Sequence, residues 1–118
     1  MRISPELRNR TKAFSSLVIR LYIALPLKRV EVAVLGEQLL RSGTSVAAHS
    51  RAASRTYSST EFCSKLDVLL QGADESMLWL EHLKEDCGIS SSQIEPVHQE
   101  CCELIAIFTS IVAKVRRK

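Results

Sequence analysis

The segment from Leu35 to Arg55 constrains the fold more than any other part of the chain. At 3.6 residues per turn, its apolar and small side chains fall along one narrow seam of a helix, with Arg41, Arg51 and Arg55 elsewhere on the surface. The middle of this helix is rich in small residues, namely Ser42, Gly43, Thr44, Ser45, Ala47 and Ala48. Glycine alone costs a helix about 1 kcal/mol relative to alanine. We expect close approach of a neighbouring helix to offset this cost, because small side chains let two backbones come near each other.

Three further segments have helical periodicity and recognisable ends. The first starts at Ser4-Pro5-Glu6, a cap residue followed by proline and an acid, and stops before Pro26. The third starts at a capping box of Ser58 and Glu61 and ends at Gly88. We predict four helices, at about 5–25, 31–54, 59–86 and 93–116.

The last helix has the most regular apolar spacing. Its seam consists of Val97, Cys101, Leu104, Phe108, Ile111 and Val115, in steps of four and three. A second capping box, Ser92 with Glu95, is expected at its start. Four amphipathic helices with short connections indicate an all-α, antiparallel up-down four-helix bundle.

Length and composition are consistent with a single domain spanning residues 1–118. The chain has 118 residues, of which 46% are apolar, enough for one core. It has no run of eighteen apolar residues that could span a membrane, and its first residues do not resemble a secretory signal. We therefore expect a cytoplasmic protein with no membrane partner, whose four cysteines stay reduced.

Several apolar residues lie beside the helix seams, and a 118-residue monomer has little interior left for them. These residues are Leu40, Leu70, Leu78, Trp79, Ile105 and Ile107. Their number favours a subunit interface over a broad core with a few exposed leucines. The first expected partner is therefore the chain itself, in a homo-oligomer.

The sequence also resembles a known family. The resemblance lies in the run Gly36–Ala48, followed by Arg51-Ala-Ala, Glu61-Phe62, Lys65-Leu66 and Asp74–Glu81. These segments are similar to small bacterial four-helix-bundle proteins whose founding members are encoded in intervening sequences of large-subunit ribosomal RNA genes. The similarity extends from about Phe14 to the C-terminus.

The resemblance implies a homopentameric ring. A distant relative, the accessory variability determinant of diversity-generating retroelements, partners a reverse transcriptase and binds nucleic acid through a basic surface. The most specific motif lies around Gln38, Arg41 and Ser45, although His49 and Ser50 stand where relatives usually have asparagine and a larger residue. We expect interface or ligand contacts on this helix, at Gln38, Arg41, Ser45, Arg51 and Arg55.

Charge is unevenly distributed along the chain. Residues 1–60 hold ten Lys and Arg against three acids, whereas residues 61–118 hold six against ten. In an up-down bundle, the C-terminus lies beside the start of the first helix. The expected basic end comprises Arg2, Arg8, Arg10, Lys12, Lys114, Arg116, Arg117 and Lys118.

The first functional hypothesis is that this basic end, multiplied by oligomerisation, binds RNA or DNA backbones weakly and without sequence preference. The alternative is that cations near the C-terminus of the last helix only complement its dipole. No nucleic-acid-binding motif is present, and the aromatic residues are spaced for packing rather than for stacking on bases.

The second hypothesis is a scaffold that docks a basic protein, such as a nucleic-acid enzyme, on the acidic face of the third helix. This face carries Asp67, Asp74, Glu75, Glu81 and Glu85, with few cations to neutralise it. The alternative is an ordinary solvated helix face.

The third hypothesis is a metal site, because Glu95 and His98 have the Glu-x-x-His spacing of di-iron bundles. Such a site needs two of these pairs and two further glutamates, and the chain has one pair. His98 with Cys101 and Cys102 could supply part of a zinc site, but other ligands would have to come from other helices. Surface histidine is the better interpretation, so we expect no metal, no cofactor and no enzymatic site.

Overall fold

The computed structural model of the chain describes residues 2–117, and this part contains four helices and no strand. The helices are α1 (Pro5–Ala24), α2 (Val30–Ala53), α3 (Ser59–Glu85) and α4 (Ser91–Arg116). Each packs on the next along the chain, and α4 packs back on α1. The resulting rod measures 48 × 21 × 20 Å. The all-α prediction is confirmed, and the predicted helix ends lie within two residues of the observed ones.

The predicted seams meet in one core along the length of the rod. Its largest fully buried side chains include Phe14 on α1, Leu39 on α2, Phe62 on α3 and Phe108 on α4. Helical spacing of three and four residues explains why each helix turns one apolar stripe inward. Every charged side chain of residues 2–117 lies at least partly at the surface.

The small residues of α2 allow close packing on both of its sides. A Cβ at Gly43 would lie 2.8 Å from Val18 of α1, and one at Gly72 of α3 would lie 3.0 Å from the Ser42 carbonyl oxygen. The Ser42 and Ser76 hydroxyls also share a buried hydrogen bond of 2.8 Å between α2 and α3. The expected close approach is therefore present, from two neighbouring helices rather than one.

The helix starts follow the sequence signals in two cases and depart from them in a third. The Ser4 hydroxyl accepts the Leu7 N–H, and the Ser58 hydroxyl accepts the Glu61 N–H, both at 3.1 Å. The capping box predicted at Ser92 is wrong, because α4 begins earlier, at Ser91. Its glutamate, Glu95, instead forms an ion pair with Lys84 of α3 at 2.6 Å.

The turn between α3 and α4 depends on a glycine. Gly88 adopts a φ of 72°, a left-handed conformation that other residues rarely adopt. The next residue, Ile89, is buried and donates its N–H to the Leu83 carbonyl at 3.0 Å. The chain therefore returns onto the end of α3.

Most of the uncovered apolar surface lies in a different place from the one expected. Of the six residues expected at an interface, four pack against the core within one chain and two remain partly or largely uncovered: Leu40, Leu70, Trp79 and Ile105 are packed, Ile107 is half-buried and Leu78 is exposed. The exposed large apolar side chains of residues 2–117 come mainly from the hairpin of α1 and α2. We call this group the hairpin patch; its members are Ile19, Ile23, Leu27, Val30 and Val34.

Within residues 2–117, none of the four helices combines the length and the apolar character needed to cross a bilayer.

Candidate nucleic-acid interface

The bundle topology gathers positive charge at one end of the rod. Because neighbouring helices are antiparallel, the start of α1, the end of α2, the start of α3 and the end of α4 share this end. Two adjoining clefts open here, of about 280 and about 390 Å³. The first is lined by Pro5, Arg8, Asn9, Arg51 and Arg55, and the second by Arg2, Ile3, Ser4, Pro5, Arg8 and Ser54. We call the two together the arginine cleft, after Arg2, Arg8, Arg51 and Arg55.

Local sequence explains how these four arginines come together. Burial of Ile3 holds the residues before α1 against the bundle, and this brings Arg2 to the cleft. The cap at Ser4 starts α1 so that Arg8 lies one turn into the helix. Arg51 lies in the last turn of α2, and Arg55 follows in the turn just after it, where its N–H donates to the Ala52 carbonyl oxygen at 3.1 Å.

The four arginines carry charge that no carboxylate of residues 2–117 neutralises. Among the residues that the structure describes, none of them has a carboxylate oxygen within the 4.0 Å of an ion pair, whereas Arg10, Arg29 and Arg116 do. Like charges held together destabilise one another by repulsion, which only solvent or an anion can relieve. The arginine cleft is therefore a candidate site for anionic groups such as phosphates.

Other residues of the predicted basic end are engaged within the chain. Arg10 donates two hydrogen bonds of 2.8 Å to Glu100 and one of 3.0 Å to Glu103. The hydrogen bond to Glu100 is the main cause that raises the pKa of Arg10 above its ordinary value. Arg116 likewise forms an ion pair with Asp67 at 2.6 Å, and this hydrogen bond raises the pKa of Arg116. Their charge is largely compensated before any ligand binds.

Of the remaining predicted cations, one donates to a backbone carbonyl, two are exposed and one lies outside the described residues. The Nε of Arg117 donates to the Ala113 carbonyl oxygen at 3.2 Å. Lys12 and Lys114 are exposed. Lys118 lies outside the described residues, so its predicted role stays a prediction.

The predicted contact residues of α2 divide between two surfaces. Gln38, Arg41 and Ser45 line a shallow groove of about 360 Å³ between α2 and α3, together with His49. The Nδ1 of His49 lies 2.8 Å from the Ser45 carbonyl oxygen, so the side chain of this histidine bonds to the backbone of its own helix. Arg51 in the last turn of α2 and Arg55 just beyond it instead line the arginine cleft, together with residues of α1.

Two carboxylates of the acidic face of α3 have partners on α4. Asp67 pairs with Arg116, and Glu81 lies 3.2 Å from the Nε2 of His98 on α4. The other three predicted members, Asp74, Glu75 and Glu85, are exposed. Less negative charge is therefore available there than the sequence suggested.

The residues considered as metal ligands instead form ion pairs or hydrogen bonds within the chain. Glu95 pairs with Lys84, and His98 pairs with Glu81. Burial raises the pKa of the Cys101 thiol to about 12, and its Sγ donates to the Ala73 carbonyl oxygen at 3.3 Å. Within residues 2–117, no three His, Cys, Asp or Glu side chains gather as a set of metal ligands.

Sequence reasoning placed Arg2 and Arg8 at the basic end, but it missed their union with Arg51 and Arg55. The topology contained a usable signal, because α1 and α2 form an antiparallel hairpin and the start of α1 must lie beside the end of α2. The sequence-based prediction of the basic end instead used residues at the start of α1 and the end of α4 alone.

Comparison with known proteins places this fold in a sequence family. The family described as "23S rRNA-intervening sequence protein" matches residues 6–110. A crystal structure of a protein of unknown function from the S23 ribosomal protein family of Bacteroides thetaiotaomicron has a TM-score of 0.82 and 30% sequence identity. The match covers 89% of this chain and 96% of that one. No curated protein matches the chain significantly.

Proposed function

The chain belongs to the 23S rRNA-intervening sequence protein family, and we propose that it is a non-enzymatic, oligomeric binding protein that holds RNA or DNA backbones in its arginine cleft. The observation that supports this proposal is the convergence of Arg2, Arg8, Arg51 and Arg55 without carboxylate partners among residues 2–117.

The chemistry of the cleft suits a phosphate diester. A guanidinium presents several N–H donors in a planar fork that matches two phosphate oxygens. The start of α1 lines the same cleft and adds the positive end of its helix dipole. Contacts of this kind recognise the backbone rather than the bases, so we expect weak dependence on sequence and strong dependence on salt.

Self-association is the second part of the proposal. The hairpin patch exposes Ile23 and Val30 at 72% and 75% of their surface, and burial between copies would remove these apolar groups from water. Five copies, as the family resemblance implies, would present five arginine clefts on one particle. Linked sites strengthen binding to a long polymer without any new contact. The proposed setting is the cytoplasm.

The test is a fluorescence anisotropy titration of labelled RNA and DNA at low salt. Arg8→Gln and Arg55→Gln should each weaken binding and reduce the slope of log affinity against log salt by about 1. The matched control is Arg20→Gln, which removes the same charge from an exposed position of α1 away from the cleft. Equal losses in all three variants would contradict the assignment of binding to the cleft, and no binding by the wild type would contradict the function.

A second candidate function is docking of a basic protein on the exposed acids Asp74, Glu75 and Glu85 of α3. Their exposure is the observation that favours it. Cross-linking in cells should then recover one basic protein with the wild type and lose it with Asp74→Asn/Glu75→Gln. Recovery of the same proteins by both forms would count against this function.

A further inference from the structure

Tyr57 is the one aromatic residue of the described chain whose ring is almost wholly in water. It is 96% exposed, whereas Phe14, Phe62 and Phe108 are fully buried, and Tyr22 and Trp79 pack partly against the core. A tyrosine ring has a large apolar surface, and hydration of that surface is unfavourable. The folded chain does not use this ring for packing.

The position of Tyr57 connects it with the arginine cleft. It lies in the turn between α2 and α3, at the basic end of the rod and two residues after Arg55. Two residues of chain span at most about 7 Å between Cα atoms. One nucleotide could therefore place its phosphate on Arg55 and its base against the Tyr57 ring.

The turn that carries Tyr57 is held by hydrogen bonds on both sides. The Tyr57 N–H donates to the Glu61 carboxylate at 3.1 Å, and Thr56 donates its N–H and its hydroxyl to the Ala53 carbonyl. These bonds involve the backbone of Tyr57 and leave its ring uninvolved. The ring is therefore presented to solvent from an ordered turn, which lowers the entropic cost of stacking on a ligand.

We propose that Tyr57 is a stacking platform for an unpaired base and that the preferred ligand is single-stranded nucleic acid, with the arginine cleft on the adjoining phosphates. This inference rests on the function proposed above. Bases in a duplex are already stacked on both faces, whereas an unpaired base has a free face for an aromatic ring. The combination of a positive cleft and an exposed aromatic ring is typical of proteins that bind single strands with little sequence preference.

The experiment compares three ligands of the same sugar–phosphate length: a single strand, an abasic single strand and a duplex. Stacking contributes about 1–3 kcal/mol per base, so the wild type should bind the normal single strand about 5- to 100-fold more tightly than the abasic strand. Tyr57→Ala should remove this difference while leaving affinity for the abasic strand unchanged. Tyr57→Phe keeps the ring and should keep the difference, and Arg55→Gln should weaken binding of both strands alike.

Each other outcome overturns the inference in a distinct way. Equal binding of normal and abasic strands by the wild type would refute stacking and leave the cleft as a phosphate site. Binding of none of the three ligands would refute the proposed function together with this inference. A change of particle mass in Tyr57→Ala, with the base preference intact, would assign the ring to a contact between subunits.

Discussion

At the scale of single residues, the role of a charged side chain depends on whether an oppositely charged group lies beside it. Arg8 and Arg10 are two positions apart, which places them about 200° apart around α1. Arg10 faces α4 and is bound by Glu100 and Glu103, whereas Arg8 faces α2 and joins Arg51 and Arg55. The same residue type therefore stabilises the bundle at one position and is available to a ligand at the other.

Arg10→Gln should lower the free energy of unfolding by about 1 kcal/mol, because it removes charge-assisted hydrogen bonds at a partly exposed site. Urea denaturation measures this loss. Nucleic-acid binding should not change, whereas Arg8→Gln should weaken binding with little loss of stability. The reverse pattern would show that the two arginines have been assigned to the wrong roles.

The contribution of Arg10 should also depend on pH. Hydrogen bonds from Gln99 and then from Arg10 hold the pKa of Glu103 below its usual value of 4.5. A lowered carboxyl pKa stabilises the fold above the unfolded pKa, and this stabilisation is lost as pH falls through the folded value. The difference in stability between wild type and Arg10→Gln should be constant near neutral pH and shrink below about pH 4.5. A difference that stays constant down to pH 3 would argue that the carboxylates do not contribute.

The two adjacent cysteines should react at very different rates. Cys102 is exposed, whereas Cys101 is buried and its thiol pKa is raised to about 12 by that burial. Because the thiolate is the reactive form, a thiol reagent at pH 8 should modify one group quickly and the three buried thiols only slowly. Cys102→Ser should remove the fast phase, and a fast phase that survives this substitution would contradict the assignment.

At the scale of the helices, α2 is the element on which the packing depends. Its neighbours approach it so closely that glycine is required where they meet, at Gly43 on α2 and at Gly72 on α3. The hydroxyls of Ser42 and Ser76 lie between α2 and α3 and form a buried hydrogen bond with each other. This arrangement explains why α2 keeps residues that weaken an isolated helix.

Gly72→Ala should destabilise the fold by about 1–3 kcal/mol, although alanine favours a helix. The added Cβ would meet the Ser45 hydroxyl at 2.5 Å and the Ser42 carbonyl oxygen at 3.0 Å, and the backbone oxygen cannot turn away. Gly36→Ala is the control, since the nearest neighbours of its Cβ would be the side chains of Leu25 and Tyr22, which can adjust. Thermal unfolding compares the two, and equal melting temperatures would indicate that α2 and α3 are less tightly packed.

At the scale of the whole molecule, the rod has a basic end and an apolar patch near the opposite end. The arginine cleft lies where α1 starts, and the hairpin patch surrounds the turn between α1 and α2. Separation along a 48 Å rod lets self-association and nucleic-acid binding use different surfaces. An assembly formed through the patch would therefore keep the clefts accessible.

Ile23→Glu/Val30→Glu should reduce the particle mass measured by light scattering, from five times the 13.2 kDa of one chain towards a single copy. Charges in a buried interface lose their hydration without gaining a partner. Val68→Glu is the control, since it replaces an exposed apolar residue on α3 outside the patch and outside the predicted interface set. A wild-type mass of one chain would contradict the assembly, and an unchanged mass in the double variant would place the interface elsewhere.

The sequence alone was sufficient to predict the four helices, their approximate ends and the crowding around α2. Periodicity and capping are local properties, so the residues of one segment determine them. The start of α4 shows the limit of this reasoning, because Glu95 matched a capping box but pairs with Lys84 across the turn. Competing partners for a charged side chain are invisible until neighbouring helices are placed.

Only the tertiary structure decided which arginines remain without partners, which apolar residues remain uncovered and where Tyr57 lies. Leu40 and Ile23 are both apolar residues away from the main seam of a helix, but neighbouring helices cover Leu40 and leave Ile23 exposed. Likewise, the pairing of Arg10 depends on glutamates about ninety positions away in the chain. Exposure and electrostatic pairing depend on distances between segments that are remote in sequence. The pattern within any one segment therefore cannot determine them.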